Sequence, residues 1–181
     1  MAALGGSVAR RYARALFGLA VDKGTFEAVG QELEAVAATV AGSAELRQTL
    51  ENPVFKLSEK RAILEQILPR LAPTRTVQSF VLLLLDRNRI AALPMISRAY
   101  QEMTDEQLGR VRATVTSAQP LDVVTQTEIQ RALERRTGKK VVMRTEVNPD
   151  LIGGVVARVG SLVFDGSLRT RLAALGSRIL N

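Results

Sequence analysis

The sequence predicts an α+β protein, built as an N-terminal six-helix bundle followed by a small α+β domain with a short mixed sheet. Two observations carry this reading. From Ser7 to about residue 108 the apolar residues recur at helical spacing, and after Gly109 they alternate with polar ones. A chain of 181 residues allows one large domain or two small ones, at about 150 residues per domain. The change of period puts the boundary between domains 1–108 and 109–181.

In the first helix Val8, Tyr12, Ala15, Leu16 and Leu19 share helical spacing, and Gly24 stands where a C-terminal glycine is expected. A second helix over 25–41 carries Phe26, Val29, Leu33, Val36 and Val40, and Gly42 with Ser43 ends it. A short helix over 44–50 stops before Asn52 and Pro53, because the residue preceding a proline is pushed away from helical angles. Ser58 is the expected N-cap of a helix running to Leu68, and Pro69 and Pro73 bracket the next turn. Helices over 74–88 and 94–108 complete the bundle.

The second domain opens with a strand in which Arg110, Arg112, Thr114 and Thr116 alternate with Val111, Ala113 and Val115. Pro120 and Asp122 introduce a helix with Val124, Ile129, Ala132 and Leu133, which Gly138 ends. A second strand covers 141–147, and Asn148 with Pro149 makes a turn. Residues 152–159 and 162–164 read as two further strands joined through Gly160 and Ser161. Ser167 caps a last helix bearing Leu168, Leu172, Leu175 and Ile179.

Composition removes much chemistry. The chain has no histidine, cysteine or tryptophan, so imidazole dyads, thiolate nucleophiles, disulfides and thiolate metal sites are excluded. Neither Walker nor dinucleotide loops are present. Gly138, Lys139 and Lys140 lack the earlier glycine and the hydroxyl, and Gly153 and Gly154 fall inside an expected strand. Glu32 with Glu34, and Asp105 with Glu106, read as solvated helix faces, and Asp165 as a turn or capping residue. No catalytic, cofactor or metal site is expected.

The net charge of +7 is uneven. Arg131, Arg135, Arg136, Lys139, Lys140 and Arg144 oppose only Glu134, a local excess of +5. Such a run reads first as a solvated face and next as a docking site for an acidic partner, with nucleic acid a distant third. The chain has only five Phe and two Tyr for base stacking.

Arg10, Arg11 and Arg14 with no acid before Asp22 give the start of the chain some likeness to a mitochondrial presequence. With Ser7 as its only hydroxyl and no break before the next helix, it is expected to be a structural first helix. The longest apolar run, 80–85, is far short of the roughly 20 residues that span a bilayer. On the first helix Arg10, Arg11, Arg14, Gly18 and Asp22 fall on one side, leaving an apolar arc of roughly 240°. Either that helix is central and covered on several sides, or it and the 80–85 helix frame a groove for a partner's amphipathic helix.

The block 148–160, Asn-Pro-Asp-Leu-Ile-Gly-Gly-Val-Val-Ala-Arg-Val-Gly, and the block 164–172, Phe-Asp-Gly-Ser-Leu-Arg-Thr-Arg-Leu, resemble the signature of the ATP synthase delta subunit, the mitochondrial oligomycin-sensitivity-conferring protein. Its signature positions here are Asn148, Pro149, Gly153, Gly154, Gly160, Asp165, Gly166 and Ser167. Blocks 9–16, 51–55 with Glu59, Lys60 and Arg61, and 86–90 with Leu93 and Pro94 are similar to that family in the same order. Asn148 replaces a frequent Asp, and Ser161 with Leu162 a frequent charged pair; both lie in expected turns.

The resemblance implies a non-catalytic stator subunit without cofactor, present once per complex. By that resemblance the N-terminal domain meets alpha subunits of the catalytic head, with Tyr12, Ala15 and Leu83 in the docking groove. The C-terminal domain meets b-type subunits of the peripheral stalk, with Arg135 and Lys139 as expected stalk contacts. No nucleic acid and no direct membrane span are implied. The implied location is peripheral, on the cytoplasmic face of a bacterial inner membrane or alternatively the matrix face of the mitochondrial one.

Overall fold

The structure, a computed structural model, describes residues 2–151, 153–160 and 162–165. The expected last helix, with Gly166 and Ser167, lies outside the described residues. The chain divides into two compact units, Met1–Thr104 and Asp105–Asn181.

The first unit is helical: α1 (Ala2–Asp22), α2 (Phe26–Gly42), α3 (Ala44–Glu51), α4 (Leu57–Leu71), α5 (Arg75–Asp86) and α6, which starts at Leu93 and runs to Gln107. A 3₁₀ turn, Ile90–Ala92, leads into α6. Pro94 is tolerated in the first turn of α6, where a backbone N–H has no intrahelical acceptor anyway. The α1 stripe that enters the core is Ala9, Ala13, Leu16 and Ala20, mostly small residues that let neighbouring helices approach closely.

Leu33, Leu50, Leu64, Val81, Leu84 and Ile96 fill the centre of the same core. Full burial of each such side chain is worth about 1.5–3 kcal/mol. Tyr100 is fully buried among them: its ring meets Phe17 edge-on at 5.4 Å, and its hydroxyl donates to the Phe26 carbonyl at 2.9 Å.

Helix ends depart from expectation in three places. Ser58 lies inside α4 rather than capping it; Lys56 takes the N-cap position, and its N–H donates to Glu59 Oε2 at 2.8 Å. Pro69 does not stop that helix either. Leu64, Leu68 and the half-buried Leu71 continue one packed face across it, and the helix ends at Ala72, which has φ 47°. At the end of α5, Asn88 takes φ 53°, so the helix stops short of the expected residue 88.

The second unit holds β1 (Arg110–Ser117), α7 (Val123–Thr137), β2 (Lys140–Val147), β3 (Val155–Val159) and β4 (Leu162–Asp165). The sheet order is β2-β1-β3-β4. β1 and β2 are parallel across the α7 crossover, while β1 with β3 and β3 with β4 are antiparallel, so the sheet is mixed as expected. Ala113, Val115, Val141, Ala157 and Val159 form one face and pack with Leu133 of α7. Asp122 caps α7 by accepting from the Thr125 N–H at 2.6 Å, and Gly138 ends it at φ 67°.

Candidate docking surfaces

On α1, Val8, Tyr12, Ala15 and Leu19 recur along one flank beside the buried stripe. Tyr12 is half-buried, and its ring stands edge-on to Phe80 of α5 with centroids 6.4 Å apart. That contact brings the two helices together. Beside it Ala15 is exposed, Leu19 is 56% exposed, and Leu83, one turn on from Phe80, is 42% exposed. The wide apolar arc of α1 is therefore only partly used by the core. Ala15 lies one turn on from Tyr12 along α1 and Leu83 one turn on from Phe80 along α5; Leu19, on the same flank of α1 as Tyr12, is not among the expected docking residues. Helical spacing alone identifies Leu19 once Tyr12 is chosen.

Two further sequence blocks meet in this unit. Arg61 of α4 donates to both carboxylate oxygens of Asp86 at the end of α5, each at 2.6 Å. The hydrogen bond to Asp86, then its charge, holds the Arg61 guanidinium more firmly protonated than usual. Both side chains are substantially exposed, so the pair fixes geometry more than it adds stability. Glu32 is not merely solvated: its Oε2 accepts from Thr74 N at 2.9 Å and Thr74 Oγ1 at 2.8 Å, capping α5 from α2. Glu34 accepts from Gln101 Nε2 at 3.0 Å.

In the second unit the basic run separates in space. Arg131 and Arg135 are exposed on α7, and Lys139 is exposed in the turn that follows. The Arg136 guanidinium lies over the Phe164 ring at 5.2 Å, a packing role. Lys140 and Arg144 are on β2. A linear count of charge could not show this split.

Asp105 also departs from the solvated-face expectation. It is only 7% exposed and accepts from Arg110 Nε at 2.9 Å and from Arg112 Nε. Its partners lie five and seven residues on, across the change from helix to strand, which a helix-face pattern does not register.

The signature residues build turns. Asn148 N–H donates to the Ser117 carbonyl at 2.8 Å, and Asn148 Oδ1 accepts from Asp150 N–H at 3.0 Å, an Asx turn opened by Pro149. Gly153 and Gly154 precede β3 rather than lying inside a strand. Their φ values of 147° and 82° break the extended run, and they line a shallow depression facing residues 117–121. Gly160 has φ 58° in the β3–β4 turn. Asp165 is the last residue of β4, opposite Val156, and the helix that it was expected to cap lies outside the described residues. Among the described residues no group of acidic side chains could hold a metal, and no helix is long and apolar enough to cross a membrane.

The described residues thus form a helical unit with a partly exposed apolar flank and an α+β unit with exposed arginines, and they show no reactive cluster. Comparison with known proteins makes this specific. The family model for the ATP synthase delta (OSCP) subunit matches residues 8–179. The chain is 45% identical over 170 residues to ATP synthase subunit delta of Anaeromyxobacter dehalogenans, covering 94% of this chain and 95% of that one. It is 41% identical over 169 residues to ATP synthase subunit delta of Trichlorobacter lovleyi, covering 93% and 94%.

Among solved structures it is similar to a chain in the Toxoplasma gondii mitochondrial ATP synthase hexamer. The TM-score is 0.74 at 27% identity, over 96% of this chain and 97% of that one. The chain belongs to the ATP synthase delta (OSCP) subunit family. It is therefore a structural subunit of an ATP synthase and not a catalytic one.

Proposed function

We propose that this subunit is the stator adaptor of a proton-translocating F-type ATP synthase, joining the catalytic head to the peripheral stalk so that the head does not turn with the rotor. One copy sits at the membrane periphery, on the cytoplasmic face of a bacterial inner membrane. Residues 1–108 meet N-terminal segments of alpha subunits, and residues 109–181 meet b-type stalk subunits. Such a task needs large contacts held without slippage rather than reactive groups.

The observation that supports this reading most is the exposure of Ala15, Leu19 and Leu83 on the two helices that the Tyr12–Phe80 contact joins. An amphipathic helix presents anchors one turn apart and fits a groove between two helices. Leu19 and Leu83 each keep about half of their surface for a partner, so covering each contributes about 1 kcal/mol. Arg135 and Lys139, exposed on and beyond α7, would steer an acidic stalk toward the second unit.

The test is binding of a synthetic alpha N-terminal peptide to the full chain. Leu83→Glu should weaken binding at least tenfold with unchanged circular dichroism, because a carboxylate would be buried unpaired. Tyr12→Glu should do the same if the fold survives loss of the Phe80 contact. Unchanged affinity in a folded Leu83→Glu protein contradicts the groove. Reversal of Arg135 and Lys139 should weaken stalk binding about threefold, mainly through association rate and less at high salt.

A further inference from the structure

The first turns of α4 set three charged residues in a row, and two of them are matched within the chain. Glu59 accepts from the Lys56 N–H at 2.8 Å at the helix N-terminus, and Arg61 donates to both carboxylate oxygens of Asp86. Lys60, between them, makes no side-chain hydrogen bond or ion pair among the described residues. Yet it is only 6% exposed, on the stripe of α4 that also buries Leu64 and Leu68. Among the described residues no side-chain nitrogen or oxygen is both fully buried and unpaired, so the Lys60 stem is buried while its Nζ touches water.

Side chains of a helix lean toward its N-terminus, which directs the Lys60 stem toward the turn 52–56. Asn52 holds that turn: its Oδ1 accepts from the Val54 N–H at 3.0 Å, and its carbonyl from the Phe55 N–H at 3.4 Å. The turn displays its apolar residues instead of burying them. Val54 is 82% exposed, and Phe55 and Leu57 are exposed as well. Every residue from 51 to 59 is exposed, so Lys60 is a cation set back behind an apolar rim. A lysine so placed loses rotamer freedom and part of its hydration, and no partner in the described chain offsets either loss. Methionine, of similar length and uncharged, would fill the same stripe at less cost.

We propose that Lys60 anchors a carboxylate of a neighbouring ATP synthase subunit, carried on a protein segment whose apolar side chains cover Val54, Phe55 and Leu57. Burial of the stem fixes the ammonium before the partner arrives. The apolar rim then excludes water from the pair, the condition in which a charge-assisted hydrogen bond is strong. A membrane surface fits less well. A recessed cation is met by a projecting side chain and not by a flat layer of headgroups, and Glu51 and Glu59 stand exposed beside the turn, where an anionic leaflet would repel them.

The inference rests on assembly into an ATP synthase and does not depend on which subunit meets Tyr12 and Leu83. The experiment measures rebinding of the full chain to ATP synthase depleted of this subunit, together with thermal melting of the free chain. K60M should melt at or above the wild-type temperature and yet rebind about tenfold more weakly, a combination that a lysine kept only for packing does not give. If K60M melts lower, V54D decides: at an exposed position it leaves the core alone, and by setting a carboxylate against the partner's it should rebind about fivefold more weakly. The deciding variant within twofold of wild type overturns the inference while the adaptor reading stands. No rebinding by wild type overturns both. Binding to vesicles of phosphatidylcholine and phosphatidylserine, or stabilisation by inorganic phosphate, that K60M abolishes with rebinding intact gives Lys60 another ligand and also overturns it.

Discussion

Gly30 lies in the middle of α2 and is buried, where alanine would ordinarily raise helix stability by about 1 kcal/mol. The structure reverses that sign. A Cβ at position 30 would stand 3.1 Å from Tyr100 Cε1 and 3.3 Å from Cδ1. The ring has nowhere to retreat: Tyr100 is fully buried, Phe17 abuts it at 5.4 Å, and its hydroxyl is tied to the Phe26 carbonyl. Overpacking of this kind costs about 1–3 kcal/mol. Drawing the hydroxyl off its acceptor adds about 1 kcal/mol.

After the gain in propensity, Gly30→Ala should destabilise the helical unit by about 1–3 kcal/mol. Followed by circular dichroism at 222 nm, the melting temperature of that unit should fall by about 5–20 °C. In a Tyr100→Leu background, with the ring edge removed, the same methyl should be neutral or stabilising, so the two substitutions should be coupled. A higher melting temperature for Gly30→Ala alone refutes the packing argument.

Burial pushes the Tyr100 phenol from 10.0 up to about 12. Folding therefore gains from the neutral phenol fully below about pH 10 and loses that gain, about 3 kcal/mol, as pH rises toward 12. Tyr100→Phe should flatten this part of the alkaline stability profile. Asp122 is held below the ordinary carboxylate value by its hydrogen bonds from Thr125. Its contribution is present above that ordinary value and is lost as pH falls through the lowered one, so Asp122→Asn should make the acid limb of the melting curve shallower. Asp105→Asn should destabilise the second unit by about 1–3 kcal/mol in urea, since two guanidinium groups lose their shared carboxylate.

Local signals placed most elements well. Asp122 and Gly138 bound α7, and the alternation of residues 110–116 gives the buried face of β1, because cap chemistry and strand period act over a few residues. What the sequence concealed was set at long range. Pro69 stays helical because Leu68 and Leu71 pack on either side of it. Glu32 and Asp105 look solvated until Thr74, Arg110 and Arg112 are brought to them. Helical spacing gives the angle of Leu19 and Leu83 but not whether a neighbour covers them; their exposure, 56% and 42%, depends on long-range packing. Register brings Arg144 of β2 and Arg158 of β3 to the same row on either side of Thr114 of β1, which no linear window shows.

Capture of the tagged full chain from detergent-solubilised membranes tests the adaptor reading most directly. Catalytic-head and b-type stalk subunits should both elute with the wild-type chain. Leu83→Glu should lose the head while keeping the stalk, and R135E/K139E should capture less stalk, the more so at low salt, while keeping the head. Elution of neither partner with the wild-type chain contradicts the account.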